Sequence, residues 1–274
     1  MSEGRSASEA VEPAVSSTVD RLVAVKEYIM HHVVNSDSWH IPFVFHTTFE
    51  IPTFSLHALM LLITSGLLIY LFRVVYRHDA KVPTGMTNLL EAFVLFIRDD
   101  IAIAFLGDED GRRMTPLLCS FFFFILTLNL IGLVPIFASA TGNINVTAAF
   151  AVITFLFMTI GALFKNGPAG FMQAFIPHGV PWPILIVLVP IELAGVLIKC
   201  MALMIRLFAN MMAGHIVISA LVGLVVVYGL TSAWPALGLA LVIYVIKLFV
   251  AFLQAYIFTL LSAMFIGMIY HPAH

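Results

Sequence analysis

Four polar side chains recur at helical spacing inside an otherwise apolar stretch: Glu192, Lys199, Arg206 and Asn210. A step of seven residues leaves an ideal helix only about 20° short of two full turns. Glu192, Lys199 and Arg206 therefore stack on one face, and Asn210 extends the row by one more turn. A full charge at the centre of a bilayer costs from about 3 to above 10 kcal/mol, so such a row in a membrane needs a reason. One is a hydrated path for ions. The other is a set of buried ion pairs, such as Glu192 with Lys199, and the spacing leaves both open. His215 falls nearly opposite Arg206 on the same helix and points at a different neighbour. Lys247 and Gln254, seven apart, share a face of a later helix. Arginine keeps its proton in proteins, whereas a desolvated lysine can give its proton up.

The elements that carry these residues are membrane spans. The 274 residues are 61% hydrophobic and 10% charged, with a mean hydropathy of +1.05. Soluble domains carry about 25% charged residues, so the composition marks an integral membrane protein. A net charge of −2 gives no reason to expect nucleic-acid binding. Cys119 and Cys200 both lie in apolar runs and read as small core residues, not as a disulfide. No ligand set for a metal or cofactor stands out. Haem would need paired histidines on facing helices, and only His57 and His215 lie in spans.

Along the chain, residues 1–54 read as a polar tail and interfacial segment, and 55–274 as the membrane domain. Val19 to Val34 suits a short amphipathic helix with Leu22, Val25, Ile29 and Val33 on one face. "NSDSWHIPF" breaks it, and "FHTTFEIPTFS" suits a short hairpin or an interfacial loop. Ser55 to Tyr76 is the first span. Arg73, Arg77, His78 and Lys81 at its far end place that end inside and the N-terminus outside. Met86 to Phe105 carries an apolar stripe of Leu89, Phe93, Phe96, Ile97 and Ile101 opposite Asn88, Glu91, Arg98, Asp99 and Asp100, which suits a helix lying on the membrane surface. "GDEDGRR" reads as a charged turn. Met114 to Phe137 and Asn143 to Phe164 read as a two-helix hairpin, followed by a Gly/Pro-rich loop, "NGPAGFMQAFIPHGVPWP".

Ile184 to about Tyr228 and Ala236 to Tyr270 are each too long for one upright crossing of a ~30 Å hydrocarbon core. With "GLTSAWP" turning the chain between them, they read as a hairpin of two long tilted helices over about 184–270. The expected fold class is an all-α integral membrane protein: one N-terminal span, a surface amphipathic helix, a two-helix hairpin and the long tilted hairpin.

At this point the residues resemble a known family. "LMIRLFANMMAGH" resembles the signature of subunit a of F-type ATP synthases, the stator subunit of the membrane rotary motor. "VAFLQAYIFTLLSAMFIGMIY" (Val250 to Tyr270) is similar to the family's last helix, and "LNLIGLVP" (Leu128 to Pro135) to a motif of an earlier span. The resemblance covers Ser55 to Tyr270. It implies two offset aqueous half-channels opening to opposite sides, and two long helices packed against a ring of c subunits that carry mid-membrane carboxylates. It makes Arg206 the essential charge between the half-channels. Asn210, His215 and Gln254 match positions near the outer half-channel or beside the arginine, and Glu192 and Lys199 match positions nearer the inner one. Lys247 stands where the family often has one member of a carboxylate–histidine pair with the place of His215, so two potential cations share that channel.

The implied partners are the c-subunit ring, the b-subunit peripheral stalk, the other F-type ATP synthase subunits and membrane lipid. The chain by itself would be a non-catalytic subunit passing protons or Na⁺. The expected home is the bacterial plasma membrane, C-terminus in the cytoplasm, with the mitochondrial inner membrane as the alternative. A self-contained proton-coupled transporter and a non-conducting assembly subunit are the competing readings.

Overall fold

The apolar runs become helices, as they must where no water can satisfy a bare backbone. The computed structural model describes residues 23, 38–40, 48–50, 56–75, 85–134, 139–176 and 182–271. Helix α1 (Leu56–Tyr70) continues through a widened π-helical turn, Leu71–Val75. Helix α2 (Met86–Phe96) passes through a longer π-helical stretch, Ile97–Ile103, into Ala104–Leu106. Helix α3 is Asp108–Leu133. Helix α4 (Ile144–Leu156) runs through the π turn Phe157–Gly161 into Ala162–Gln173. Helices α5 (Trp182–Tyr228) and α6 (Leu230–Tyr270) complete the order. Five helices among the described residues are long and apolar enough to cross a membrane.

The long apolar stretches are each a single helix, of 47 and 41 residues. At 1.5 Å per residue they extend roughly 70 and 60 Å, about twice a bilayer core. A methyl on Gly214 of α5 would meet Lys247 of α6, and Lys199 Nζ lies 4.0 Å from Met268 Sδ, so the two helices run antiparallel.

Three segments differ from their sequence reading. "GDEDGRR" is not a turn: Gly107 alone turns the chain, at φ 77°, and α3 starts at Asp108. Asp108, Glu109 and Asp110 then occupy its first turn, where the helix dipole favours acids. Likewise "GLTSAWP" reduces to Gly229, at φ 74°, and Pro235 falls early in α6. Only glycine takes such φ values without strain, so each turn needs one residue where composition suggested several. The Gly/Pro-rich segment after Phe164 is partly helical too, as α4 kinks at Gly167 and runs on to Gln173.

A short antiparallel ribbon adds strand to the helical fold: β1 (Ser38–His40) pairs with β2 (Thr48–Glu50), Trp39 opposite Phe49. Its first strand lies in "NSDSWHIPF", which reads from sequence as a mere break. The amphipathic helix expected over Val19–Val34 lies outside the described residues, Val23 apart, as do Arg77, His78 and Lys81.

The core gathers α2, α3, α4, α5 and α6. In α2 Ile97 and Ile101 are buried and Phe93 and Phe96 pack against the core, as the apolar stripe predicts, while Leu89 is exposed and Leu90 is buried in its place. Its polar side carries Arg98 bonded to Asp99 at 2.7 Å. That hydrogen bond holds the Asp99 carboxyl below the usual carboxylate range. Aromatic rings lock the spans: Phe121 stands edge-on to Phe258 and Phe122 to Phe252, both at 5.6 Å between centroids. Each such pair contributes about 0.5–1.5 kcal/mol beyond its buried area. Cys119 and Cys200 are free thiols.

Candidate functional site

Arg206 sits near the middle of α5, on a face the described residues leave exposed. Ile198, Met201, Ile205 and Ile216 on the same helix are exposed, as are Leu241, Val245, Leu248 and Phe249 on α6. Leu203, Leu207 and Met211, on the other side of α5, are buried. The helix thus packs by one stripe and presents the arginine on the other. Among the described residues, no carboxylate pairs with Arg206.

One helical turn from Arg206, a cavity of about 270 Å³ opens between α3, α5 and α6. Its polar wall is Asn210, Lys247 and Asn129, set in an otherwise apolar lining that includes Gly214 and Val217. Gly214 is the reason Lys247 fits. A methyl built there would stand 2.3 Å from Lys247 Cε, so the lysine stem lies across the bare backbone of α5.

Gln254 is buried, with its amide nitrogen unpartnered among the described residues. It is seven residues beyond Lys247, and seven back from Gly214 is Leu207, so the antiparallel register brings Gln254 level with Leu207 and its neighbour Arg206.

Of the residues singled out from sequence, the structure brings Asn210 and Lys247 to one cavity and Gln254 level with Arg206. His215 is half-buried and is not in the cavity wall. Glu192 is exposed, far along α5 from the cavity. Lys199 does not pair with Glu192; its ammonium sits over the Phe265 ring, 5.9 Å from the centroid, and near Met268. The buried-pair alternative for the row is therefore not what these side chains form. Asn129 was not singled out, although "LNLIGLVP" contains it. It is buried, accepts a hydrogen bond from Thr141 Oγ1 at 2.9 Å, and reaches the Ala251 carbonyl of α6 at 3.5 Å. An amide inside an apolar span is the signal that would have found it.

Fold and site together define an integral membrane protein with an arginine that meets no carboxylate among the described residues, on an exposed face of a long helix pair beside a polar-walled cavity. A family model described as "ATP synthase A chain" matches residues 58–267. The chain is 44% identical over 240 residues to "ATP synthase subunit a" of Anaeromyxobacter sp. (strain Fw109-5), covering 85% of this chain and 58% of that protein. It is 44% identical over 217 residues to the protein of the same name from Anaeromyxobacter dehalogenans (strain 2CP-C), covering 77% and 56%. With that of Chloroherpeton thalassium (strain ATCC 35110 / GB-78) the identity is 42% over 262 residues, covering 89% and 77%. The chain belongs to the ATP synthase A chain family. It spans a little over half the length of the Anaeromyxobacter relatives.

Proposed function

We propose that the chain is the ion-translocating stator subunit of an F-type ATP synthase. In this reading the uncovered face of α5 and α6 receives a ring of c subunits, and the cavity beside Asn210 and Lys247 is the outer half-channel. Glu192 and Lys199 belong to the inner one. Arg206 stands between the two. A c-ring carboxylate arriving from one half-channel loses its ion and pairs with the guanidinium. At 4 Å such a pair is worth about 4 kcal/mol at an effective dielectric of 20, enough to hold the ionised form and refuse a proton. An ion then reaches the other side only by riding the ring, and ion flow becomes rotation that drives ATP synthesis elsewhere in the complex. The subunit catalyses no bond change itself.

The observation that carries this reading is the position of Arg206: a charge at mid-helix, on an uncovered apolar face, with no carboxylate of the described chain to meet it. A buried structural ion pair would look different. The membrane placement follows the same logic. α5 and α6, each twice the bilayer thickness, lie tilted, and α2 lies along the inner surface with Arg98 and Asp99 in the headgroup region. The b-subunit stalk and the remaining synthase subunits complete the assembly. A bacterial plasma membrane with the N-terminus outside and the C-terminus in the cytoplasm is the expected setting. Impermeant thiol reagents applied to single cysteines near each terminus check this, and labelling of both from one side overturns the orientation.

The decisive experiment is Arg206→Ala in the whole complex. ATP-driven ion uptake into vesicles should vanish while the subunit still assembles at normal level. Coupled uptake at the wild-type rate in that variant ends the motor reading.

A further inference from the structure

We propose that Thr141 is a positioning residue for ion passage: its hydroxyl holds the Asn129 carboxamide with its NH2 edge turned to α6 at the wall of the cavity. The inference rests on the reading of that cavity as an ion path and goes beyond it, since it assigns work to a residue that does not line the cavity at all.

The geometry has three parts. Asn129 lines the cavity and is only 2% exposed. Its Oδ1 accepts from Thr141 Oγ1 at 2.9 Å, and its Nδ2 donates to the Ala251 carbonyl at 3.5 Å. A flipped carboxamide would set Oδ1 against that carbonyl, two acceptors with no hydrogen between them, so the orientation is decided by chemistry. The 3.5 Å contact is long for a hydrogen bond, which makes the shorter bond from Thr141 the main restraint on the amide. The second N–H of Nδ2 has no partner among the described residues and is left for water or a carboxylate in the cavity.

Thr141 can act as that restraint because its backbone is held in a closed turn of its own. It is fully buried in the tight turn Ala140–Gly142, between α3 and α4. That turn is closed by Gly142 N–H to the Ser139 carbonyl and Asn143 N–H to the Ala140 carbonyl, both at 3.1 Å. Asn143 then caps α4 by accepting from Asn145 N–H at 2.9 Å. The hydroxyl is thus fixed by backbone on both sides. Without it, Oδ1 would be a buried acceptor with no donor, and the amide would rotate to find water in the cavity.

The test uses the whole complex in membrane vesicles, with proton uptake driven by ATP and normalised to assembled subunit. Thr141→Val and Thr141→Ala should each slow uptake about three- to tenfold, the span of one hydrogen bond. Thr141→Ser, which keeps the hydroxyl, should restore the rate. In an Asn129→Leu background, Thr141→Val should slow uptake no further, because the group it positions is gone. Wild-type uptake in both the valine and alanine variants overturns the proposal, as does an undiminished effect in the Asn129→Leu background or a failure of serine to rescue. A purely structural role predicts those last two results. Arg206→Ala is run alongside: uptake that survives it removes the ion-path reading itself, whereas Arg206-dependent uptake indifferent to Thr141 removes only this inference.

Discussion

Polar groups crowd the C-terminal end of α6 and satisfy one another, while midway along α5 and α6 the guanidinium of Arg206 and the amide of Gln254 find no such partners among the described residues. At the end of α6, Asp110 of α3 accepts from Lys165 of α4 and from His271 Nε2 at 3.0 Å. His271 Nε2 also lies 2.8 Å from the Leu106 carbonyl, so with two oxygens before it that nitrogen carries the hydrogen. Asn166 Nδ2 donates to the Ile269 carbonyl at 3.1 Å, and Lys165 Nζ reaches that of Tyr270 at 3.4 Å. These carbonyls belong to the last turn of α6, where no further helical N–H exists to take them. Four elements thus close one helix end. Midway along the two long helices, among the described residues, Arg206 meets no carboxylate and the Gln254 amide nitrogen no acceptor. Groups partnered within a chain hold that chain together. Groups left without partners at such cost point to something outside it.

The comparison makes opposite demands on two variants. Arg206→Ala removes a group that binds nothing in the described chain, so assembly should stand while pumping is lost. Asp110→Ala should do the reverse. It takes from Lys165 and His271 the carboxylate they share, at a site where the Asp110 side chain is only 13% exposed, and leaves each of them a backbone carbonyl alone. Losing a hydrogen bond to a charged group costs about 1.5–3 kcal/mol. The expected outcome is a lower melting midpoint of the detergent-solubilised complex and less subunit in the membrane, with uptake per assembled complex nearly unchanged. If Asp110→Ala instead stops pumping in fully assembled complex, the closed cluster belongs to the ion path and the contrast between the two regions fails.

How much of this contrast was legible beforehand follows from the range of each interaction. The spans, the antiparallel long pair and the Arg206–Asn210 spacing are local patterns of hydropathy and helical period, and they are visible in the residues alone. From the residues alone "GDEDGRR" reads as a charged turn. The meeting of its Asp110 with Lys165 and His271 spans 55 and 161 positions, and no local pattern encodes it. The same holds for Asn129, whose partners Thr141 and Ala251 lie 12 and 122 residues away. The turns read longer in the sequence than they are because Gly, Ser, Thr and Pro cluster there, whereas a single glycine at positive φ suffices. His215 and Lys247 illustrate the limit from the other side: both were candidates for one channel, and only Lys247 stands in the cavity wall.

Lys247 offers an intermediate effect. Its stem lies over Gly214, and a methyl there would come within 2.3 Å of Cε. Gly214→Ala should push the ammonium off its place, at a rotamer cost of about 0.5–1.5 kcal/mol, and slow proton uptake a few-fold without uncoupling it from hydrolysis. Lys247→Met should slow uptake to a similar degree, and Lys247→Glu should keep coupled uptake. Adding Gly214→Ala to Lys247→Ala should change little, because the clash has gone. A Lys247→Met complex as dead as Arg206→Ala would move Lys247 into the essential set.

The smallest effect belongs to the charges beside Asp110 that are not enclosed. Arg112 bonds Asp108 at 3.1 Å and Arg113 bonds Glu109 at 2.8 Å, both one turn apart on α3. Their geometry is as good as that of the closed cluster, but the side chains are 63–79% exposed. Water competes for both partners, so such a pair contributes about 0.3–0.5 kcal/mol. Asp108 also keeps its favourable place at the N-terminus of α3 when the arginine is removed. Arg112→Ala should therefore leave melting midpoint, membrane level and uptake within error of wild type, against a clear loss for Asp110→Ala two residues away. Equal losses in the two variants would mean that burial does not separate them, and that Arg112 meets a carboxylate of another subunit once the complex is assembled.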